Sequence, residues 1–198
     1  MDAGNVNLGH AGWHSRGYLP HLDEPGLVQM ITFRLADSLD SSRLLELRGE
    51  FRNSARQYRN SVERELDAGH GSCWLQQPEI AALVEETLLM FDGQRYRLLC
   101  WVIMPNHVHV VVEVISGWPL SRIVKTWKAY SARMANRFLG RRGSFWQADY
   151  FDRFLRDAQH LEDAGRYIHF NPVKAGLCTH MRDWRWSSYR RIHEPAGV

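Results

Sequence analysis

Apolar and polar residues alternate through LVQMITFRL, Leu27 to Leu35, which predicts a strand with Ile31, Phe33 and Leu35 on one face. From Ser41 to about Leu66 the period lengthens to three and four. Leu44, Leu47, Phe51, Ala55, Tyr58, Val62 and Leu66 form a stripe, with Arg43, Arg48, Arg52, Arg56, Arg59 and Arg64 mostly off it, so one long amphipathic helix is expected. The glycine-rich AGHGSCW ends it. In QPEIAALVEETLLMF, Pro78 suits a first helical turn and Ile80, Leu83, Val84, Thr87, Leu88 and Phe91 supply the buried side of a second helix. RYRLLCWVIM (Arg95 to Met104) reads as a strand, separated from HVHVVVEV by only Pro105 and Asn106, so the two predict an antiparallel hairpin. Proline cannot take positive φ, so a turn longer than type I′ is expected there. A third helix follows in PLSRIVKTWKAYSARMANRFL, with Leu120, Ile123, Val124, Trp127, Ser131, Met134 and Phe138 along one side and Arg122, Lys125, Lys128, Arg133 and Arg137 on the other. DYFDRFLRD (Asp149 to Asp157) predicts a short strand. AQHLEDAGRYIHFNPVKAGL predicts a helix stopped by Pro172, because the residue before proline is pushed out of helical geometry.

Strand, helices, hairpin, helix, strand, helix is an α+β order. Its β-α-β-β-α-β kernel predicts a ferredoxin-like core, an antiparallel sheet with helices on one face. The expected organisation is a single domain over 1–198, with an irregular segment 1–26, an inserted helical region at about 38–72 and a C-terminal helix. No internal repeat or low-complexity segment interrupts it.

With 44% hydrophobic and 12% aromatic residues, the 198-residue chain can fill a substantial core. No apolar run reaches the roughly 18 residues of a membrane span, and MDAGNVNLGHAGWHSRGY lacks the charged-then-apolar order of a secretory signal, so no membrane partner and a cytoplasmic location are expected. Three cysteines, Cys73, Cys100 and Cys178, without Cys-x-x-Cys spacing, argue against a disulfide framework or a structural zinc site. Net charge is +3, yet only Lys125, Lys128 and Lys174 among the 25 basic residues are lysine. Arginine suits bidentate phosphate contacts and stacking on bases, although a genomic bias toward arginine codons accounts for the same composition.

The unusual element is the histidine strand. Side chains alternate across a strand, so His107, His109, Val111 and Glu113 share one face and Val108, Val110, Val112 and Val114 the other. Valine makes the second face core. A single histidine on the first would be read as a satisfied core side chain; two of them, about 7 Å apart by strand geometry, form a rigid pair of metal donors that still needs a third ligand. Tyr167 and Asn171, four residues apart, share a helix face that could meet that side of the sheet. Asn171 offers an amide oxygen and Tyr167 a phenol, which attacks only a strongly polarised electrophile such as a metal-bound phosphate. Packing for Tyr167 and a cap before Pro172 for Asn171 are the competing readings.

WVIMPNHVHVVVEV, TWKAYSARMANRFLGRRGSFWQADYFDRFLRD, YIHFNPVKAGL and DWRWSSY together resemble the REP-associated tyrosine transposases, relatives of the insertion-sequence transposases that act on single-stranded DNA. RGYLPHLDEPGLVQMITFRLADSL and GHGSCWL resemble a subgroup, so the likeness runs from about Arg16 to Tyr189. The resemblance implies a His-hydrophobe-His (HUH) site on a ferredoxin-like core. His107 and His109 would be metal ligands, Tyr167 the nucleophile, and Asn171 the residue at the third-ligand position. Insertion-sequence relatives carry a polar group three residues before the first histidine and often glutamine four after the tyrosine; here Met104 and Asn171 stand there. Imidazoles alone favour zinc-like metals, but phosphoryl chemistry and the family imply Mg2+ or Mn2+.

The implied activity is cleavage and rejoining of single-stranded DNA at short palindromic, REP-like hairpins through a 5′-phosphotyrosine. Lys128, Arg133, Arg153, Arg156 and Lys174 are the candidate DNA contacts, and the acting species would be a monomer or homodimer. Two rival readings are a non-catalytic nucleic-acid-binding ferredoxin-like protein and an HUH replication initiator or relaxase. RNA-binding sheets of this fold carry a Gly-Phe-rich aromatic strand that is missing here, and the chain has no helicase P-loop.

Overall fold

The structure, a computed structural model, describes residues 12–15 and 20–194. Its elements run β1 (Gly12–Ser15), β2 (Pro20–Asp23), β3 (Val28–Arg34), α1 (Ser41–Glu50), α2 (Ala55–Asp67), α3 (Pro78–Leu89), β4 (Tyr96–Ile103), β5 (His107–Val114), α4 (Leu120–Phe138), β6 (Phe151–Phe154), α5 (Ala158–Lys174) and α6 (Tyr189–His193). Four strands form an antiparallel sheet in the order β4-β5-β3-β6, with α3 and α4 as the two crossovers. That is the ferredoxin-like arrangement expected from the periodicity.

Strand alternation sorts the two faces. Val108, Val110, Val112 and Val114 join Ile31, Phe33 and Trp101 under α3 and α4, which contribute Ile80, Val84, Leu88, Ile123, Val124 and Trp127 to the largest core cluster. The opposite face is covered as well. Met30, Cys100, Val102 and Val111 pack there against Ala164 and Ile168 of α5, so helices occupy both faces rather than one.

The inserted region is two helices, not one. Phe51 donates its N–H to the Leu47 carbonyl and closes α1, and the Ser54 hydroxyl accepts from the Gln57 N–H and starts α2. A serine in extended conformation is a strong helix start, and it outweighs the periodicity that runs through the break. The stripe nevertheless keeps its purpose. Leu47, Val62 and Leu66 build a small separate core with Leu39, Leu44, Phe51, Tyr58 and Phe151.

Pro172 does not end α5, which continues to Lys174. Proline there removes only one N–H close to the helix end. The last turn is closed beyond it, with the Leu177 N–H donating to the Pro172 carbonyl and the Gly176 N–H to that of Val173. Gly176, at φ +71°, supplies the left-handed residue this closure requires. On α4, Ala135 rather than Phe138 continues the buried stripe, and Phe138 is 58% exposed. The β4–β5 connection is tighter than expected. The Met104 N–H donates to the His107 carbonyl at 2.9 Å, leaving only Pro105 and Asn106 between paired positions, and neither has the positive φ of a type I′ turn.

The segment 1–26 is not wholly irregular, since β1 and β2 pair antiparallel from Gly12↔Asp23 to Ser15↔Pro20; residues 1–11 and 16–19 lie outside those described. Beside β6, His21 is buried between Asp149 and Asp152. Burial opposes its charge, but hydrogen bonds to both carboxylates prevail and raise it to about 9, so an ion cluster ties β2 to the sheet edge. No helix among the described residues is long and apolar enough to cross a membrane.

Candidate active site

His107 and His109 stand opposite Arg34 and Thr32 of β3 and are 1% and 0% exposed. Their rings meet edge to face with centroids 4.8 Å apart, and the two Nε2 atoms lie 3.1 Å apart. Each Nδ1 is held from behind. Asn106 Nδ2 donates to the His70 carbonyl at 3.0 Å, which turns its Oδ1 toward His107 Nδ1 at 2.7 Å. His107 therefore carries its proton on Nδ1 and keeps the Nε2 lone pair. His109 Nδ1 lies 2.7 Å from Thr32 Oγ1. When it donates to that hydroxyl, two Nε2 lone pairs oppose one another across 3.1 Å, an arrangement that a shared cation relieves.

Both imidazoles are neutral. Burial, reinforced by His109 and Lys174, holds His107 far below the usual histidine range, and burial with Lys174 takes His109 down to about 3. Neutral imidazole is the metal-binding form.

Helix α5 delivers the other two predicted residues to this face. The Tyr167 ring meets His109 edge to face at 5.5 Å. Its hydroxyl is buried without a hydrogen bond of ordinary geometry, as are both polar atoms of the Asn171 amide, a residue with no solvent exposure. The capping role for Asn171 is thereby excluded, because the residue sits inside α5 and its amide makes no hydrogen bond of ordinary geometry. Burial, together with the negative charges of Glu63 and Asp67, raises the Tyr167 phenol well above its ordinary value. It is a neutral phenol until a proton acceptor and a polarised electrophile are both present.

Four residues that the sequence did not single out complete the surroundings. Thr32 and Asn106 orient the imidazoles, taking the place of the polar group missing at Met104, which is buried in the core beneath α5. Glu63 and Asp67, four residues apart on α2, bring carboxylates to the phenol and to His107. Their signal was the i, i+4 spacing of two acids on an arginine-rich helix. Asp67 Oδ2 accepts from Lys174 Nζ at 2.7 Å, while Oδ1 is buried, has no hydrogen bond and lies 3.9 Å from His107 Nε2. Among the described residues no group of three or more His, Cys, Asp or Glu side chains already stands arranged around a metal position.

The predicted DNA contacts divide. Arg153 lies opposite Met30, on the histidine face and within the field of Tyr167, and Lys174 sits 5.8 Å from the Tyr167 ring centre. Arg156 follows β6, over the Phe154 ring at 5.6 Å. Lys128 and Arg133 are on α4, which packs against the valine face, so the sheet separates them from the histidines.

Residues 77–171, from the start of α3 to Asn171, match the family profile described as "Transposase IS200 like". A Haemophilus influenzae protein assigned as a REP-associated tyrosine transposase is 26% identical over 99 residues, covering 45% of this chain and 56% of that one. The REP-associated tyrosine transposase of Escherichia coli K12 is 24% identical over 98 residues, covering 48% and 56%. The match thus spans little more than half the length of these curated relatives. A solved REP-associated tyrosine transposase, bound to a REP hairpin, superposes with a TM-score of 0.59 over 90% of this chain and 86% of its own, and at 16% identity this likeness speaks for the fold. The matched segment carries His107, His109, Tyr167 and Asn171 together, and over that segment the chain is similar to the IS200-like transposases and to REP-associated tyrosine transposases.

Proposed function

We propose that the protein cleaves and rejoins single-stranded DNA at short hairpins, with Tyr167 as the nucleophile and a divalent cation, Mg2+ or Mn2+, held by His107, His109 and Asn171. The observation that carries this reading is the convergence of buried polar atoms that find no well-formed hydrogen bond in the chain. The Tyr167 hydroxyl, the Asn171 amide and one Asp67 oxygen all lack a hydrogen bond of ordinary geometry, around two neutral imidazoles whose Nε2 atoms are 3.1 Å apart. Buried polar groups are left open in this way at sites that await a ligand. The donors suit a cation that accepts both nitrogen and oxygen, as Mn2+ does.

A bound cation would withdraw charge from the scissile phosphate and offset the charge gained in the transition state. The chain's own residues supply the rest. Thr32 and Asn106 lock the imidazoles, and α5 holds the phenol against His109. Tyr167 Oη forms a bond to phosphorus as the bond to the 3′-oxygen breaks, leaving the 5′-phosphate on tyrosine and a free 3′-hydroxyl. Glu63 lines the same cleft of about 470 Å³ as Tyr167. Burial raises its carboxyl above the usual range, which suits it to take the phenolic proton. Attack by another 3′-hydroxyl on the phosphotyrosine reverses these steps and rejoins the strand. Arg153, Lys174 and Arg156 are placed to hold phosphates near the reaction, and Lys128 and Arg133 to grip a more distant part of a hairpin stem.

The test is a repeat hairpin with a single-stranded flank from the sequence surrounding the gene, incubated with Mn2+ and resolved on a denaturing gel. The expected product is protein joined to the 5′-phosphate after a cut in the flank or at its junction, while the same sequence annealed to its full complement stays intact. One nucleophile cuts one strand, and duplex stacking withholds the bases at a cost of a few kcal/mol. Efficient duplex cleavage, or an adduct on the 3′ side, rejects the mechanism.

Asn171→Ala tests the third ligand. Its amide makes no hydrogen bond of ordinary geometry in the chain, so alanine should cost little stability, whereas the Mn2+ concentration for half-maximal cleavage should rise about 10-fold or more. An unchanged metal titration removes Asn171 from the ligand set.

A further inference from the structure

We infer that Asp67, at the end of the inserted helix α2, is a further ligand of the cation held by His107 and His109. The inference rests on the proposed reading of those histidines. It adds to the site a carboxylate from outside the segment that matches the family, residues 77–171.

Two observations carry it. The first is the division of labour between the carboxylate oxygens. Oδ2 is fixed by Lys174 Nζ at 2.7 Å, and Oδ1 is buried, bonds nothing and lies 3.9 Å from His107 Nε2. Ligands at right angles around a cation with bonds of about 2.1 Å lie about 3.0 Å apart. The two histidine nitrogens already stand at 3.1 Å, and Asp67 Oδ1 has about 1 Å to close. The contact to Lys174 can persist meanwhile, because it uses the other oxygen. The second observation is Asn171, which has no solvent exposure and leaves both amide atoms unsatisfied on the same side of the sheet. The chain leaves more than one donor open here.

Charge supports the assignment. Two neutral imidazoles and an amide offer a divalent cation no negative charge, and burying an uncompensated cation is unfavourable. One carboxylate supplies that charge. Asp67 is also the last residue of α2, where the negative end of the helix dipole disfavours an acid unless cations lie nearby. Its backbone is anchored one residue earlier by Leu66, 1% exposed in the small core that α1 and α2 share. The insertion thereby acquires a purpose: it packs through its own apolar stripe and presents a charged donor to the histidine pair.

The experiment measures Mn2+ binding to the full chain without DNA, by calorimetry and by electron paramagnetic resonance. It compares the wild type with Asp67→Asn, Asp67→Glu, Lys174→Ala and the double variant His107→Ala/His109→Ala. Asp67→Asn should weaken Mn2+ about 10-fold or more, with a metal-free melting temperature close to wild type. Lys174→Ala should not weaken it, because the carboxylate remains. Asp67→Glu keeps the charge but displaces the oxygen, so its bound Mn2+ spectrum should differ from wild type. Wild-type affinity in Asp67→Asn overturns the inference. So does an equal loss in Asp67→Asn and Lys174→Ala, which would assign the effect to their ion pair. Should Asp67→Asn not fold, a wild-type spectrum from Asp67→Glu overturns it instead. If the wild type binds Mn2+ no better than the histidine double variant, the reading of His107 and His109 falls as well; if only the Asp67 variants behave as wild type, that reading stands and the inference alone is lost.

Discussion

Tyr167→Phe should eliminate the covalent protein–DNA adduct and lower strand cleavage on the order of 10³-fold or more, the scale on which loss of an attacking group acts. The structure sharpens this expectation. The hydroxyl removed has no hydrogen bond of ordinary geometry, so phenylalanine gives up at most weak contacts and relieves a buried oxygen of its unmet need. The melting temperature should therefore equal or exceed that of the wild type. The aromatic contact with His109 is kept, and hairpin binding should stay within a few-fold. Denaturing gels and equilibrium binding to a labelled hairpin measure the two effects separately. Cleavage at the wild-type rate would mean that some other group, or water, attacks the phosphate.

His107→Ala/His109→Ala should abolish Mn2+ binding and metal-dependent cleavage in a chain that still folds. The two imidazoles are almost wholly buried, so their loss is not free. It opens space, and it removes the partners of Asn106 Oδ1 and Thr32 Oγ1, at about 1–3 kcal/mol for each group left unsatisfied. Against this stands the valine face. Val108, Val110, Val112 and Val114 are at most 1% exposed within the largest core cluster and hold β5 between β3 and β4 whatever faces the other way. The expected result is a wild-type circular dichroism spectrum, a lower melting temperature and no heat of Mn2+ binding. An unfolded double variant would make the histidines structural and remove the basis of the site.

Some of this was legible in the chain before any tertiary contact. Strand alternation depends only on local backbone geometry, so HVHVVVEV by itself determined that both histidines leave the core on one face and the valines enter it on the other. Helical periodicity did the same for Tyr167 and Asn171, and the order of elements was enough to propose the ferredoxin-like sheet. Local competition already limited that reading: Ser54 breaks a stripe that continues in the sequence, and Pro172 is passed because the closing bonds lie beyond it. What only the tertiary structure decided is which faces meet. An apolar stripe such as that of α1 and α2 records that a helix must bury one side, without recording against what. Its docking brought Asp67 to His107, forty residues away in the chain, and joined it to Lys174, more than a hundred residues away, while α4 carried Lys128 and Arg133 to the other side of the sheet. The pairing of Thr32 with His109 has the same origin, since a hydrogen bond between separate strands takes its distance from register and packing, and the distant His70 carbonyl turns the Asn106 amide toward its neighbour His107. Period is a property of a few neighbouring residues; a site assembled from β3, β5, α2 and α5 is a property of how their buried faces fit together.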